Sequence, residues 1–174
     1  MKSDAIPRRA ATLWLLWCLL LAASFAGPDR SWCLGDVYER SFTRQLSFII
    51  AKHPKYTWGG ADLERGVDCS GYLFLAAKWA AIPGVTRTTA AHMALGLGGW
   101  RSKEVPLRDA AACDLIFWTF TPQRPCGHVG AFLETPDKAL LVTHASTTRG
   151  VVLERLHGAL VSATSLVRRL TIGD

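Results

Sequence analysis

The chain has 174 residues and a formal net charge of +6, with 20 Lys and Arg against 14 Asp and Glu. The basic residues are scattered and form no stripe interleaved with aromatic residues, so the composition argues against a nucleic-acid-binding surface. A modest positive charge favours encounter with an anionic surface or polymer, such as a cell envelope.

The N-terminal segment is typical of a secretory signal peptide. Three basic residues precede an apolar run over residues 10–23, and small residues follow, so cleavage is predicted after Ala26. The alternative is an uncleaved anchor, but a membrane span needs about 20 apolar residues and this run is shorter. Cleavage of residues 1–26 leaves 148 residues, which predicts one domain over residues 27–174. We expect an exported protein of the periplasm, cell envelope or extracellular space, with membrane contact only if the segment is retained.

Four cysteines lie beyond this segment, at Cys33, Cys69, Cys113 and Cys126. In an oxidising compartment an even number of cysteines allows two disulfides, and the sequence does not fix their connectivity. No pair has the C-x-x-C spacing of a structural zinc site, so we expect no metal. If Cys69 is a free nucleophile, at least one other cysteine is also unpaired.

The first part of the chain predicts a helix and a loop. The segment "DVYERSFTRQLSFIIAKH" has apolar residues at helical spacing, with Asp36 as N-cap, Glu39 as its capping-box partner and Pro54 as the stop. The segment "YTWGGADLERGV" follows and is Gly-rich and aromatic. Such a composition indicates a loop whose backbone must approach another group closely.

A second helix is predicted over the apolar run from Cys69 to Ala81, which is apolar on nearly every face and is closed by Pro83 and Gly84. A short helical stretch near Thr89 to Leu97 comes next. The remaining segments are short and rich in β-branched and aromatic residues: "DLIFWTF", "HVGAFLE", "ALLVTHAS", "GVVLERL" and "TSLVRRL". Their short connections favour an antiparallel meander, so we expect an α+β domain with the helices on one face of the sheet.

Cys69 lies where the second helix begins. Asp68 can cap the first turn, which places Cys69 among unpaired backbone N–H groups at the positive end of the helix dipole, where a thiolate is favoured. Ser70 and Gly71 would keep the turn small enough for a substrate backbone to approach. Taken alone, the stretch favours a buried structural cysteine, because free cysteines are among the most buried residue types.

Two histidines offer the base that a nucleophilic thiol needs. If the two histidine-bearing strands turn near Pro136, His128 and His144 both lie eight residues from the turn and stand side by side. One imidazole can then deprotonate Cys69 while the other holds its far nitrogen. A metal site formed by His128, His144 and Cys126 competes, but it lacks an acidic ligand and leaves Cys69 without a role.

Six motifs in order, "YTWGG", "VDCSG", "TRTT", "ACDLIFW", "GHVGAFLE" and "THASTTRGVVLE", resemble the NlpC family of bacterial cell-wall cysteine peptidases. The resemblance covers Tyr56 to Glu154. It implies a papain-like α+β fold in which Cys69 is the nucleophile, His128 the base and His144 the group that orients the base. It also implies contacts with the free amine of the substrate, from Tyr56, Asp68, Ser70 and Arg87. Asp68 can either bind this ammonium or only cap the helix.

The resemblance further implies hydrolysis of the amide between D-γ-glutamyl and meso-diaminopimelate or lysine in peptidoglycan stem peptides. The reaction would pass through a thioester and need no cofactor. We expect peptidoglycan stem peptides as the partner, no nucleic acid, and a monomer. The alternatives are an amidase or acyltransferase on the same fold, or a catalytically silent envelope-binding protein. Two departures affect the groove loops: Ala112-Cys113-Asp114 replaces the usual Pro-Gly-Asp, and "IPGVTRTT" replaces a shorter link.

Overall fold

The computed structural model of the chain describes residues 35–158, 160 and 163–171. The predicted signal peptide, with its cleavage after Ala26 or retention as an anchor, lies outside these residues, and so does Cys33. Within the described ranges no helix has both the length and the apolar character needed to cross a membrane.

The chain places its helices before most of its sheet. The helices are α1 (Asp36–Lys52), α2 (Cys69–Trp79) and α3 (Ala90–Ala94), and a 3-10 turn covers Leu107–Asp109. A two-stranded hairpin is formed by β1 (Ala61–Asp62) and β2 (Gly66–Val67). The main sheet contains β3 (Ser102–Val105), β4 (Leu115–Thr119), β5 (His128–Glu134), β6 (Leu140–Ser146), β7 (Gly150–Glu154) and β8 (Thr164–Leu170).

Helix α1 confirms the predicted apolar spacing but not the predicted cap. It buries Phe42, Leu46 and Ile49, which recur every three or four residues. The N-cap is Gly35, without a side-chain cap bond, so the prediction of Asp36 as N-cap is wrong. Asp36 is instead the first helical residue, where its charge still complements the positive end of the helix.

Helix α2 is buried along most of its length, as its sequence predicts. It ends at Trp79, two residues before the predicted end, and Ala81 already has a positive φ of 56°. The hydroxyls of Tyr72 and Thr143 are 2.9 Å apart in the interior. This bond fixes α2 against β6.

The main sheet is antiparallel with strand order β3-β8-β4-β5-β6-β7. The meander from β4 to β7 is as predicted. The return of β8 to the free edge of β4 and the pairing of β3 with β8 were not predicted. The sequence of β3, "SKEV", is mostly polar. This fits its place at the edge of the sheet, where charged side chains are tolerated.

Two apolar clusters cover the two faces of this sheet. The larger cluster joins all three helices to sheet residues such as Val129, Ala131 and Ala145. The buried residues of the smaller cluster, centred on Trp118 and Phe132, all come from the sheet, and partly buried Leu160 packs against them. Helices α1, α2 and α3 therefore pack on one face, and the α+β prediction is confirmed.

The hairpin of β5 and β6 differs from prediction by two residues of register. His144 pairs with Gly130, not with His128. Because side chains alternate between faces with a period of two, a shift of two residues keeps both histidines on the same face. His128 and His144 are diagonal rather than direct neighbours, and their side chains still meet.

Candidate active site

The glycine-rich loop before α2 packs directly on the first turn of that helix. The Asp68 N–H donates to the Gly60 carbonyl at 3.0 Å, and the Gly59 N–H donates to Asp68 Oδ2 at 3.0 Å. A Cβ on Gly71 would overlap the Gly60 carbonyl oxygen. The predicted close approach of the loop is confirmed. The prediction that Gly71 leaves room for a substrate backbone is wrong, because the Gly60 carbonyl occupies that space.

Asp68 is the N-cap of α2, as predicted. Its Oδ1 accepts hydrogen bonds from the Gly71 N–H at 2.6 Å and the Ser70 hydroxyl at 2.9 Å. Its Oδ2 pairs with Arg87 Nη2 at 2.7 Å, and Arg87 Nη1 donates to the Ser70 hydroxyl at 2.9 Å. The structure thus joins Asp68, Ser70 and Arg87 in one network and shows the capping role. Binding of a substrate ammonium stays a prediction.

Cys69 is the first residue of α2 and only 7% exposed. Burial raises the pKa of its thiol to about 11, and the nearby Asp68 charge adds to this effect. Hydrogen bonds to the sulfur from the backbones of Val129, Ser70 and Cys69 itself lower the pKa by less. The helix start was predicted to favour a thiolate, but burial outweighs this effect and favours the protonated thiol.

A chain of hydrogen bonds leads from His128 across one face of the sheet to an acidic residue. His128 Nε2 lies 2.9 Å from His144 Nδ1, and His144 Nε2 lies 2.8 Å from Glu154 Oε1. Arg149 Nη2 lies 2.9 Å from both oxygens of Glu154. We call His128, His144, Glu154 and Arg149 the histidine relay.

Glu154 is held as a carboxylate. Burial raises its pKa, but hydrogen bonds from His144 and Arg149 and the Arg149 charge outweigh burial, so the pKa is lowered overall. A carboxylate only accepts hydrogen bonds, so His144 Nε2 carries a proton. With both imidazoles neutral, His144 Nδ1 accepts and His128 Nε2 donates. The relay therefore leaves His128 Nδ1 as the nitrogen free to accept a proton.

His128 is held as a neutral base. Burial and then the neighbouring His144 imidazole lower its pKa to about 4, and the Asp68 charge opposes them. The Cys69 sulfur is hydrogen-bonded by the backbone of Val129, the residue after His128. Among the described residues no hydrogen bond joins Cys69 to His128 directly.

Trp118 and Gly130 shape the surroundings of the two histidines. The Trp118 ring centroid is 5.4 Å from that of His128 and 5.8 Å from that of His144. A Cβ on Gly130 would lie 3.1 Å from the Trp118 ring, 3.2 Å from the His144 Cβ and 2.7 Å from the Thr143 carbonyl oxygen. The glycine of "HVG" therefore lets the indole and His144 approach each other.

A cleft of about 440 Å³ opens at His128. It is lined by Tyr56, Trp58, Phe120, Thr121, Arg124, Gly127, His128, His144, Ser146, Thr147 and Leu160. Tyr56 is half-buried, and its pKa is raised by burial first, then by neighbouring Cys69 once that thiol is ionised, and by the Asp68 charge. Tyr56 therefore connects the cleft with the start of α2.

Glu154 and Arg149 were not predicted as members of the site, although both stand in "THASTTRGVVLE". His144 pairs with Val152, and Glu154 is two residues further along β7 on the same face. The sequence carried one signal for Glu154: it is an acidic residue that strand alternation places on the same face as His144.

Cys69, Cys113 and Cys126 are all free thiols in the structure. The alternative of two disulfides among the four cysteines is therefore wrong. Among the described residues, no three His, Cys, Asp or Glu side chains are grouped so that they could hold a metal ion.

The structure thus combines a cysteine at a helix start, Cys69, with a histidine at a strand end, His128, on an α+β scaffold, and a nucleophilic thiol needs such a base. The NlpC/P60 family model matches residues 53–169. The chain belongs to the NlpC/P60 family, and the predicted resemblance is confirmed. Membership of this family supports a cell-wall peptidase type of function.

Two solved structures have the same fold. A Staphylococcus aureus protein described as similar to lipoprotein, NLP/P60 family, is 22% identical with a TM-score of 0.62, covering 89% of this chain and 48% of that one. NlpC2 from Trichomonas vaginalis is 19% identical with a TM-score of 0.54, covering 77% of this chain and 47% of that one. This chain thus spans about half the length of each. No curated protein matches it.

Proposed function

We propose that this chain is an exported cysteine endopeptidase that hydrolyses peptidoglycan stem peptides at the D-γ-glutamyl to diamino acid amide. The observation that carries the proposal is the histidine relay, which supports a neutral base at His128, the residue before Val129, whose backbone is hydrogen-bonded to the Cys69 sulfur. Envelope location is supported by the Staphylococcus aureus neighbour described as similar to lipoprotein. The presence of Cys69, His128 and His144 together argues against a catalytically silent binding protein.

In the first chemical step, proton transfer and nucleophilic attack occur together. His128 Nδ1 takes the Cys69 proton while the sulfur bonds to the scissile carbonyl carbon, because the resting thiol is too weakly acidic to ionise alone. The backbone N–H groups of Cys69 and Ser70, which face the sulfur, stabilise the oxyanion. His144 and Glu154 of the histidine relay stabilise the imidazolium that forms on His128.

The second half restores the enzyme. His128 gives its proton to the departing amine as the C–N bond breaks, which leaves the D-γ-glutamyl group as a thioester on Cys69. Water, deprotonated by His128, attacks this thioester, and the thiolate leaves and regains the proton. The products are a free γ-carboxylate and the diamino acid amine.

Tyr56, Asp68, Ser70 and Arg87 are proposed contacts for the free amine of the stem peptide. They are supported by the Asp68–Ser70–Arg87 network and by the charge interactions of Tyr56 with Cys69 and Asp68. Because Arg87 already offsets the Asp68 charge, the oxygens of Tyr56 and Ser70 would supply part of the attraction for an ammonium.

The test is digestion of purified muropeptides by the reduced protein, followed by mass spectrometry of the products. We expect fragments cut after D-γ-glutamyl, loss of cleavage in Cys69→Ala, and retained cleavage in Cys126→Ser, a matched control at another free thiol. An amidase would instead release the whole stem peptide from the sugar, and an acyltransferase would join the acyl group to an added amine. Absence of any stem-peptide cleavage by the reduced wild type would contradict the proposal.

A further inference from the structure

One side chain gives the cleft at His128 a fixed positive charge. Arg124 is the only Lys or Arg among the lining residues, and none of the described residues that line the cleft is Asp or Glu. Among the described residues Arg124 forms no ion pair, unlike Arg87 and Arg149. An exposed guanidinium without an acidic partner is available to a ligand, and its planar donors match a carboxylate.

The backbone holds Arg124 next to the proposed base. The Arg124 N–H donates to the Thr121 carbonyl at 3.0 Å, which closes a turn between β4 and β5. A Cβ on Gly127 would lie 3.0 Å from the Arg124 carbonyl oxygen and 3.3 Å from the Arg124 Cβ. Gly127 thus lets the Arg124 turn fold onto the residue that precedes His128.

Two exposed aromatic side chains share this cleft. Trp58 is 79% exposed and Phe120 is 51% exposed. The ring centroid of Phe120 lies 6.0 Å from that of His128. Aromatic walls with one charged group are typical of a site that encloses a ligand and orients it by a single polar contact.

We propose that Arg124 binds a carboxylate of the substrate next to the scissile bond, and we assign this carboxylate to the α-carboxylate of the D-γ-glutamyl residue. A γ-linked glutamyl residue is attacked at its side-chain carbonyl, so its α-carboxyl stays free and ionised at neutral pH. The inference rests on the proposed function and names the residue that selects the acidic form of this substrate over its amide.

The test compares two synthetic stem peptides that differ only in the D-γ-glutamyl α-carboxyl, free in one and amidated in the other. The full-length protein should cleave the free acid with a kcat/KM about 10-fold or more higher, as expected for one charge-assisted hydrogen bond. Arg124→Gln should abolish the preference by slowing cleavage of the acid. Arg44→Gln, an exposed change on α1 outside the cleft, should keep it.

A conservative substitution at Arg124 tests for rescue. Arg124→Lys should restore part of the preference, because it restores the charge without the fork of donors. Equal cleavage of both peptides by the wild type, or a preference that survives in Arg124→Gln, would overturn the inference and leave the proposed function standing. Cleavage of neither peptide by the wild type would overturn both.

Discussion

At the scale of single residues, burial shifts the pKa values of Cys69 and His128 in opposite directions. Burial raises the pKa of the thiol to about 11 and lowers that of the imidazole to about 4. Both shifts favour the neutral pair over the thiolate–imidazolium pair. The helix start alone predicted the opposite, because a sequence shows the position of a dipole but not the depth of burial that competes with it.

The rate of alkylation of Cys69 measures how much of its thiol is ionised at each pH. Only the thiolate reacts, so with a raised pKa the rate of iodoacetamide labelling should increase about tenfold per pH unit from pH 7 to 10. An unperturbed cysteine would level off above its pKa of about 8.5. The rate is followed by peptide mapping of the Cys69 fragment. A rate that is already constant between pH 5 and 8 would show a resting thiolate and contradict the neutral pair.

Substitutions along the histidine relay should have graded effects on turnover. His128→Ala removes the base and should lower kcat by about 10²–10⁴-fold. His144→Ala should leave more activity because water can partly replace the orienting group, and Glu154→Gln more still because the amide oxygen can accept from His144. KM should change little in Glu154→Gln, since this residue does not line the cleft.

The control for Glu154→Gln is Glu134→Gln, which changes an exposed acid on β5 that pairs with Lys138 at 2.6 Å. It should leave kcat unchanged. Equal and total loss in His128→Ala and His144→Ala, or wild-type kinetics in Glu154→Gln, would show that the relay does not position the base.

At the scale of elements, two sequence motifs are explained by a single backbone contact. The glycines of "YTWGG" and "DCSG" meet where the Gly60 carbonyl lies against Gly71. Sequence predicted a close approach but not its partner, because the distance between two loops depends on the packing of the whole domain. Strand periodicity likewise predicted the shared face of His128 and His144, whereas the register depended on the five-residue turn at residues 135–139.

Gly71→Ala tests this contact. The added methyl group overlaps the Gly60 carbonyl, so we expect a loss of about 1–3 kcal/mol in the free energy of unfolding from overpacking. Gly35→Ser is the control, since a Cβ there has no neighbour within 4 Å and Ser is favoured at a helix N-cap. Urea denaturation compares the two variants. A Gly71→Ala protein as stable as the Gly35→Ser protein would refute the role of this contact.

At the scale of the whole molecule, the C-terminal strand is fixed by a buried ion pair. Arg169 on β8 binds both oxygens of Asp114 at 2.9 and 2.8 Å, and both side chains are largely buried. Asp114 ends the departure Ala112-Cys113-Asp114, in which Cys113 has a φ of 69° where the family usually has glycine. The sequence identified this departure, but it did not place β8 beside β4, because that pairing spans almost fifty residues and no local pattern encodes it.

Arg169→Met should lower the free energy of unfolding by about 3–5 kcal/mol, because it leaves the Asp114 carboxylate buried without its charge partner. Chemical denaturation measures the change. The double variant Asp114→Asn, Arg169→Met should recover part of the loss, since no uncompensated charge remains. A single variant with wild-type stability would contradict the role of this pair.

The central claim, that Cys69 carries the acyl group, is tested most directly by acid-quenched peptide mapping during the first turnovers with muropeptide. We predict that the peptide containing Cys69 gains the mass of the D-γ-glutamyl fragment as a thioester and that Cys69→Ala shows neither adduct nor product. Product release without an adduct on Cys69, or continued cleavage by Cys69→Ala, would contradict the account.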